Sequence, residues 1–539
     1  MQAFDFIIIG AGSAGCVLAH RLSESGRHSV LLLEAGGSDR SFWLRVPIGY
    51  GKSFFNPAVN WMYSTEPDPG LAGRQGYWPR GKVLGGSSSI NAMVFVRGQR
   101  GDFDDWATQG NPGWDWDSVL PYFKKIEDSE FGPNEWRAQG GPVHVASMAG
   151  QVHPLCETYL RAGQEMGWSR NEDINGASNE GVTINQITTR NGLRESASTA
   201  YLRPALARGN LTLITGAQAT RLLFEGRRAT GLQYIKDGAL QECRARREVI
   251  LSAGSINSPQ LLQISGLGPG AALQALGIDV LADLPAVGQH LQDHLCLDYF
   301  YRAKVPTLNQ QLGPWYGKLW AGLRYLATRR GPLALSINQG GGFFRSRPDA
   351  PYPDMQLYFC PMSYLRPSPG QRKLMAPDPF PGLSISVQPC RPSSRGQLRL
   401  RSKDPLERPL IEPNSLATQK DQDDMILAAD FIRQIANTSA MRTVIESEIQ
   451  PGARVSTPEQ MLQDARERVS TVFHPVSTCR MGPLPTQAVV DARLRVHGMQ
   501  GLRVIDASVF PTLTSGNTNA PTLMLAEKGA DMVLAEHRD

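Results

Sequence analysis

One histidine and one asparagine in the last seventy residues could together move a proton. His474 is followed directly by Pro475, which favours a rigid loop at that point. An imidazole has a pKa near neutrality, so His474 could accept the proton of a substrate hydroxyl. Asn519 begins the last predicted helix, with Pro521 in its first turn, and could form a hydrogen bond beside the histidine. The pair predicts acid–base chemistry at a helix N-terminus, where the helix dipole favours an anionic group.

The other reactive side chains do not form a metal or nucleophile motif. The seven cysteines are scattered without a CxxC pair, which predicts no metal site and is typical of a reducing compartment. His290 and His294 stand in the run HLQDH, but this run follows PAVG and has Asp where an inverted zinc-protease motif has Glu. A structural turn is therefore favoured there. The absence of GxSxG excludes the nucleophile turn of an α/β-hydrolase.

The elements that must position this chemistry begin with a nucleotide-binding pattern at the N-terminus. A predicted strand, residues 6–9, ends in the run Gly10-Ala11-Gly12-Ser13-Ala14-Gly15; a helix follows, and a second strand ends at Glu34 and Ala35. The three glycines permit a tight turn, close approach of a pyrophosphate and close packing of helix on strand. Glu34 could accept a hydrogen bond from a ribose hydroxyl. The pattern predicts a dinucleotide site without distinguishing NAD from FAD.

A second glycine-rich segment and the end of the chain extend this predicted cradle. Residues 80–93 contain Gly85 and Gly86 followed by three serines, a supply of backbone N–H groups and hydroxyls that suits an anion or a heterocycle. Residues 248–264 resemble the first strand–turn–helix unit, and residues 502–508 are predicted to form a strand that ends in an acid. The two ends of the chain are therefore predicted to build one domain, with the middle inserted.

The predicted fold is α/β, or α+β overall. A Rossmann-like nucleotide domain is assigned to residues 1–155, 195–295 and 470–539, and a substrate domain with a mixed or antiparallel sheet to residues 156–194 and 296–469. The middle region contains alternating strands and two helices, at 318–328 and 420–436. The first of these is amphipathic with a basic end, and an ordinary packed helix is favoured over a membrane anchor.

The bulk composition describes an ordinary soluble protein. With 539 residues, two domains are expected, and a net charge of +5 is too small to indicate nucleic-acid binding. The N-terminus enters the first strand directly, and the longest nearly apolar stretch, residues 6–19, is too short to span a bilayer. A cytoplasmic protein is predicted, with peripheral contact to the inner face of the membrane left open. The oligomeric state is also left open.

Six segments, in order along essentially the whole chain, resemble the glucose–methanol–choline (GMC) oxidoreductase family. The resemblance is strongest to its bacterial branch of choline and aliphatic alcohol dehydrogenases. The segments are GAGSAG with Glu34, RGKVLGGSSSIN, ILSAGSINSPQLL, VGQHLQDHL, HPVSTCRMG and DASVFPTLTSGNTNAPTLMLAEK.

The resemblance implies a cofactor and its contacts. The cofactor would be FAD, held without a covalent bond because Ile90 stands where some family oxidases carry a flavin-linked histidine. The implied catalytic residues are His474 and Asn519. The implied FAD-binding residues are Gly10, Gly12, Ser13, Ala14, Gly15, Glu34, Ala35, Arg80, Val83, Gly85, Gly86, Ser87, Asn91, Ala92, Met93, Val94, Ala219, Ala253, Asp506, Ala507, Asn519, Pro521 and Thr522.

The resemblance also implies a reaction, the oxidation of a primary alcohol to an aldehyde. His474 would take the hydroxyl proton, Asn519 would hold the oxygen, and hydride would pass to flavin N5. Gln339, Phe343 and Phe473 are the candidate substrate residues. Gln339 stands where choline-acting relatives carry an acid, which favours a neutral alcohol, and the aromatic-rich loops suggest an apolar or aromatic one.

The electron acceptor separates the alternatives. A quinone-type or dye-type acceptor would make the enzyme a dehydrogenase, and oxygen would make it an oxidase that releases peroxide. A non-redox lyase or a photodecarboxylase of the same family is a more remote alternative.

Overall fold

The computed structural model describes residues 2–364 and 376–538 of the chain. Within these residues the strands are β1 Gln2–Ile9, β2 Val30–Glu34, β3 Tyr63–Ser64, β4 Tyr77–Trp78, β5 Glu127–Ser129, β6 Val143–Ser147, β7 Gly181–Ile184, β8 Gln186–Arg190, β9 Leu193–Arg194, β10 Leu211–Thr215, β11 Ala217–Glu225, β12 Arg228–Lys236, β13 Ala239–Leu251, β14 Leu267–Gly268, β15 Ala282–Asp283, β16 Leu295–Ala303, β17 Gly340–Phe344, β18 Met355–Cys360, β19 Gly382–Pro389, β20 Gln397–Arg399, β21 Leu410–Glu412, β22 Ile445–Gln450, β23 Ser470–Thr471 and β24 Leu502–Val504.

The helices lie mainly on the outside of the sheets. Within the same residues they are α1 Ser13–Ser23, α2 Phe42–Arg45, α3 Tyr50–Ser53, α4 Arg100–Thr108, α5 Trp116–Ile126, α6 Leu155–Glu165, α7 Arg203–Ala205, α8 Gly254–Ile264, α9 Gly270–Ala275, α10 Leu308–Leu312, α11 Trp315–Thr328, α12 Gln419–Ala436, α13 Ser439–Arg442, α14 Pro458–Arg468 and α15 Asn519–Glu536. Single helical turns of other types cover Pro47–Gly49, Pro69–Leu71, Gly86–Ser89, Ser198–Leu202, Pro332–Ala334 and Ala507–Val509.

The first large sheet has the order β10-β2-β1-β13-β12-β11, with β24 beside β13. Its centre is parallel: Ile8 pairs with Leu32 on one side and with Ile250 on the other. These apolar runs form strands because both faces of the sheet are covered, and all five residues of β2 are buried. Helix α1, near the start of the chain, packs against α15 at its end, and Arg21 of α1 donates to Asp531 of α15 at 2.7 Å.

The second large sheet has the order β22-β16-β19-β18-β17-β7, with β23 beside β16, and its pairings are antiparallel. Strand β16 alternates: Leu297 and Tyr299 face an apolar core under α12 and α14, whereas Cys296, Asp298 and Phe300 face a cavity. The α/β fold class and the antiparallel second sheet are therefore confirmed.

Two separate apolar cores underlie the sheets. The first draws on residues 4–145, 197–287 and 476–533, and the second on residue 71 and residues 155–182 and 297–469. The division into two cores does not test the predicted domain limits, which stay a prediction.

Strand β10 pairs with β2 in parallel, and β12 pairs with β11 and β13. One sequence prediction differs from the observed elements. Helix α11, predicted to pack in the ordinary way, buries only Ala321 and Tyr325. Among the described residues, no helix is long and apolar enough to cross a membrane.

Candidate active site

A cavity of about 1020 Å³ lies between the two large sheets. The carboxyl ends of β1, β2 and β13 open into it, as ligand sites in parallel sheets usually do. On the other side, β16, β18 and β19 contribute one face of the second sheet. His474 lies in its wall.

Most of the predicted cofactor residues line this cavity. They are Gly10, Gly12, Ser13, Ala14, Glu34, Ala35, Arg80, Gly86, Ser87, Asn91, Ala92, Met93, Val94, Ala219, Ala253, Asp506, Ala507, Asn519 and Thr522. Outside its lining are Gly15, Val83, Gly85 and Pro521. A Cβ on Gly15 would lie 1.8 Å from the carbonyl oxygen of Gly10, so this glycine is required for α1 to pack on β1.

The turn between β1 and α1 has the geometry of a nucleotide cradle. Gly10 has a φ of +100°, and a Cβ there would lie 2.6 Å from the carbonyl oxygen of Ser252. The Glu34 carboxylate accepts hydrogen bonds from the N–H groups of Ala11 at 2.9 Å and Gly36 at 2.8 Å. Burial nevertheless raises the pKa of Glu34 to about 7, since these two bonds only partly offset its desolvation.

The second glycine-rich segment lies directly against the first. A Cβ on Gly86 would lie 2.7 Å from the Cα of Gly12, so the two backbones meet with no side chain between them. Neither α1 nor α15 has a side-chain cap or an acid in its first turn, although both begin at the cavity wall. Two free helix N-termini, open backbone N–H groups and a buried carboxylate are a donor set that fits a dinucleotide.

His474 stands in a tightly held loop. Its backbone N–H donates to the Asp293 carboxylate at 2.7 Å, and the Thr471 hydroxyl donates to the same carboxylate. Arg80 donates to the carbonyl oxygen of Phe473 at 2.6 Å. Phe473 has a φ of 70°, a strained value for a side chain with a Cβ that these contacts maintain.

A chain of hydrogen bonds determines which nitrogen of His474 carries the proton. His294 Nε2 lies 2.9 Å from the carbonyl oxygen of Cys390, which can only accept, so this nitrogen must carry a hydrogen. Neutral His294 then offers a lone pair at Nδ1, which lies 3.0 Å from Nδ1 of His474. The hydrogen of His474 therefore sits on Nδ1, and its Nε2 is free to accept. Asn517 donates to that Nε2 from Nδ2 at 3.2 Å.

Both imidazoles are held in the neutral state. Burial, and then the neighbouring His294 and Arg80, keep the pKa of His474 well below 6.5. Burial also lowers the pKa of His294 to about 4. Burial raises the pKa of the Asp293 carboxyl to about 6, and the hydrogen bonds that this group accepts offset the rise only in part. A neutral His474 can act as a base over the whole physiological pH range.

The prediction that Asn519 lies beside His474 is wrong. Asn519 Oδ1 accepts a hydrogen bond from the Ser13 hydroxyl at 2.7 Å, which joins the start of α15 to the start of α1. Asn517, two residues earlier in the loop, is the asparagine that contacts the histidine. Its Oδ1 is buried and has no partner among the described residues, so it can still bind a ligand group.

Two of the three predicted substrate residues do not line the cavity. Gln339 is buried and accepts from the N–H of His153 at 2.7 Å, so it says nothing about the charge of a substrate. Phe343 packs in an apolar cluster with Val94 and Cys390. Phe473 does line the cavity and packs against Phe54, with ring centroids 5.3 Å apart.

Comparison with known proteins agrees with these motifs. The N-terminal model of the family described as GMC oxidoreductase matches residues 4–296, and its C-terminal model matches residues 392–526. The chain belongs to this family. An oxygen-dependent choline dehydrogenase of Vibrio vulnificus is 43% identical over 99% of this chain and 94% of its own length. The mitochondrial choline dehydrogenase of Mus musculus is 42% identical over 98% of this chain and 89% of its own length.

Solved structures of the family share the whole fold. Pyridoxine 4-oxidase from Mesorbium loti has a TM-score of 0.88 and 32% identity, over 99% of this chain and 100% of its own. A formate oxidase has a TM-score of 0.92 and 28% identity, over 99% of both chains. The predicted family is confirmed, and with it FAD as the cofactor of an oxidoreductase that acts on a CH–OH donor. The non-covalent attachment of FAD stays a prediction.

The sequence reasoning missed three residues of this site. His294 was assigned to a structural turn, although it contacts His474, and Asp293 beside it holds the same loop. Both lie in VGQHLQDHL, one of the segments that carry the family resemblance, so a signal was present. Asn517 had a weaker signal, since NTNA contains two asparagines and their spacing does not say which faces the histidine.

Proposed function

We propose that this protein oxidises a primary alcohol to an aldehyde, with His474 as the general base and Asn517 as the group that holds the alcohol oxygen. The observation that carries this proposal is the pair of hydrogen bonds that links the Cys390 carbonyl to His294 and His294 to His474. It leaves Nε2 of His474 as a lone-pair acceptor at the cavity, beside an amide donor. FAD, when bound, supplies the hydride acceptor, and the residues that would hold it are those of the cradle.

The side chains account for the movement of the proton. The alcohol hydroxyl would donate to Nε2 of His474, and the amide of Asn517 would turn from Nε2 to the alcohol oxygen. Transfer of the hydroxyl proton to Nε2 leaves negative charge on the oxygen, which Asn517 stabilises while the carbon releases hydride. The alcohol thus loses one proton to His474 and one hydride to the cofactor, and the aldehyde remains.

Burial also favours return of His474 to the neutral base. A protonated His474 would be a cation in a buried site near Arg80, and the same causes that lower its pKa favour loss of the proton. His294 can keep accepting from Nδ1 throughout, so the ring holds its orientation between turnovers.

The cavity wall supports a neutral, apolar or aromatic alcohol as the substrate. The rings of Phe54, Phe55, Tyr77 and Phe473 form one aromatic cluster at the cavity. Strand β16 adds the thiol of Cys296 and, two residues further on, the carboxyl-bearing side chain of Asp298, so the support for an apolar alcohol comes from the aromatic cluster. The acceptor proposed for the electrons is a quinone-type compound.

Anaerobic mixing of the FAD-loaded enzyme with an alcohol panel tests the reaction. We expect bleaching of the yellow flavin by benzyl alcohol and hexanol at higher efficiency than by choline. His474→Ala should keep FAD and reduce the bleaching rate by about 10²- to 10⁴-fold. If choline is the best substrate, the neutral-substrate proposal is wrong while alcohol oxidation stands; if no alcohol bleaches the flavin, the function itself is wrong. Peroxide formed per aldehyde in air then tells oxygen from a quinone as acceptor.

A further inference from the structure

Helix α11 carries an exposed apolar surface. Only Ala321 and Tyr325 are buried, so the helix touches the rest of the protein along one narrow edge. Trp315 and Trp320 are 75% and 70% exposed. The remaining apolar side chains of the helix that are more than half exposed are those of Tyr316, Leu319, Leu323 and Leu326. These six residues form the α11 face, and an apolar patch of this kind indicates a binding surface.

Helix α2 adds two aromatic rings in the same region. Val46, which follows α2, packs in one buried cluster with Tyr325 of α11, so the two helices are neighbours. Phe42 and Trp43 of α2 are 52% and 44% exposed. The apolar area therefore extends beyond a single helix.

The sequence around α11 carries charge of one sign. Residues 299–348 contain eight lysines and arginines and no aspartate or glutamate. Lys318, Arg324, Arg329 and Arg330 are exposed on or just after α11. Across residues 2–364 and 376–538, none of these four cations lies in an ion pair with a carboxylate.

We propose that the α11 face binds the surface of an anionic lipid bilayer. A helix with Trp and Leu on one side and Lys and Arg beside them has the composition of helices that lie in the membrane interface. Its cations would pair with lipid headgroups, which carry the charge that the protein does not provide. At 14 residues, α11 is about 21 Å long, too short for a span of the roughly 30 Å hydrocarbon core, so it would lie along the surface.

A second copy of this chain fits the α11 face less well than a membrane. A symmetric dimer through this face would bring the same basic side chains together twice. The neighbouring sequence, residues 299–348, has no acid with which to pair them. An anionic bilayer satisfies both the apolar and the basic side chains.

The inner side of α11 connects this surface with the cavity. Ala321 packs in a cluster with Ile337 and Cys360, and these two residues line the cavity. A membrane bound at the α11 face would therefore lie one layer of side chains away from the cavity wall. If the proposed function is correct, this position would suit an apolar alcohol or a quinone that is dissolved in the bilayer; the binding itself does not depend on that function.

Vesicle flotation with the FAD-loaded protein tests the proposal. We expect flotation with vesicles of phosphatidylcholine and phosphatidylglycerol, weaker flotation with phosphatidylcholine alone, and release at high salt. Trp320→Ser combined with Leu323→Ser should lower the vesicle partition coefficient about tenfold or more. Lys318→Gln combined with Arg324→Gln should lower it about tenfold on the anionic vesicles only.

A matched control uses exposed leucines elsewhere on the protein. Leu240 and Leu406 are 60% and 52% exposed and lie outside α2 and α11. Leu240→Ser combined with Leu406→Ser should leave flotation unchanged. All three double variants should keep the flavin absorbance of the wild-type protein. They should also keep its rate of alcohol oxidation with a soluble dye as the electron acceptor, which excludes unfolding.

Three results would overturn the proposal. The wild-type protein could stay unbound with anionic vesicles at low salt, or the Trp320/Leu323 variant could float as well as wild type. Alternatively, analytical ultracentrifugation could show a dimer that the same variant dissociates, which would assign the α11 face to self-association. Quenching of tryptophan fluorescence by brominated lipids supplies a test on the wild-type protein that needs no variant.

Discussion

Replacing His294 with phenylalanine should leave the active site assembled but with its base in the wrong tautomer. His294 accepts the Nδ1 hydrogen of His474 at 3.0 Å, and both rings are buried. Phenylalanine fills similar space but cannot accept, so the Nδ1 hydrogen would lose its partner. A buried polar hydrogen without an acceptor costs about 1–3 kcal/mol. The other tautomer, with its hydrogen on Nε2, then becomes favoured.

The expected loss of activity follows from that cost. The population of the reactive tautomer should fall about 5-fold to 150-fold, and the rate of flavin reduction should fall with it. Anaerobic stopped-flow mixing with alcohol measures this rate directly, without the reoxidation step. His294→Gln, whose carbonyl oxygen can accept from His474, should recover part of the rate, whereas a purely structural defect would not be rescued in this way.

The pH profile gives a second readout. The pKa of His474 is held well below 6.5, so the wild-type rate should be constant from pH 6.5 upward and fall only below that range, as Nε2 becomes protonated. His294→Phe should lower the rate across this whole pH range, because the ratio of the two neutral tautomers does not depend on pH. His290→Asn, in the same HLQDH run at a φ of 63° that asparagine tolerates, serves as the control and should match wild type. An unchanged rate and profile in His294→Phe would refute the tautomer argument.

Two further predictions separate catalytic from structural roles. Asn517→Ala should lower the rate of flavin reduction, measured by stopped flow, at least tenfold with FAD still bound. Asn519→Ala loses the Ser13 contact and should mainly weaken FAD retention, measured by flavin fluorescence. The reverse pattern would contradict the assignment of the two asparagines. Glu127 is fully buried between two arginines, so Glu127→Gln should destabilise the fold by about 3–5 kcal/mol. The melting temperature should fall, with the flavin spectrum unchanged below it. An unaltered melting temperature would show that the buried ion pairs contribute little to stability.

The sequence predicts the nucleotide cradle well because the interactions that shape it are local. Gly10, Gly12 and Gly15 act within one strand–turn–helix unit, and their spacing alone states where the backbone must bend and where the helix must pack. The contact between Gly12 and Gly86 spans distant parts of the chain, yet both runs show the absence of side chains that such a contact needs.

The substrate residues were harder to predict, since a strand's direction does not reveal which of its faces meets a cavity. Gln339, just before β17, accepts a hydrogen bond from His153, which lies just before α6. Cys296 on β16, by contrast, lines the cavity. The apolar face of helix α11 was also hard to place from the sequence. Its amphipathic pattern states that one face is apolar, but whether that face packs inward depends on what the fold places against it.

By itself, the sequence determined the family and the cofactor, and it predicted His474 as the base. Which asparagine serves that histidine was decided only in three dimensions. Gly516 has a φ of +93°, and a Cβ there would lie 2.7 Å from Val96, so the loop turns tightly against a distant segment just before Asn517. That turn directs Asn517 to His474 and leaves Asn519 to join α15 to α1. The base likewise takes its proton arrangement from His294, 180 residues earlier in the chain, through a contact that no local pattern records.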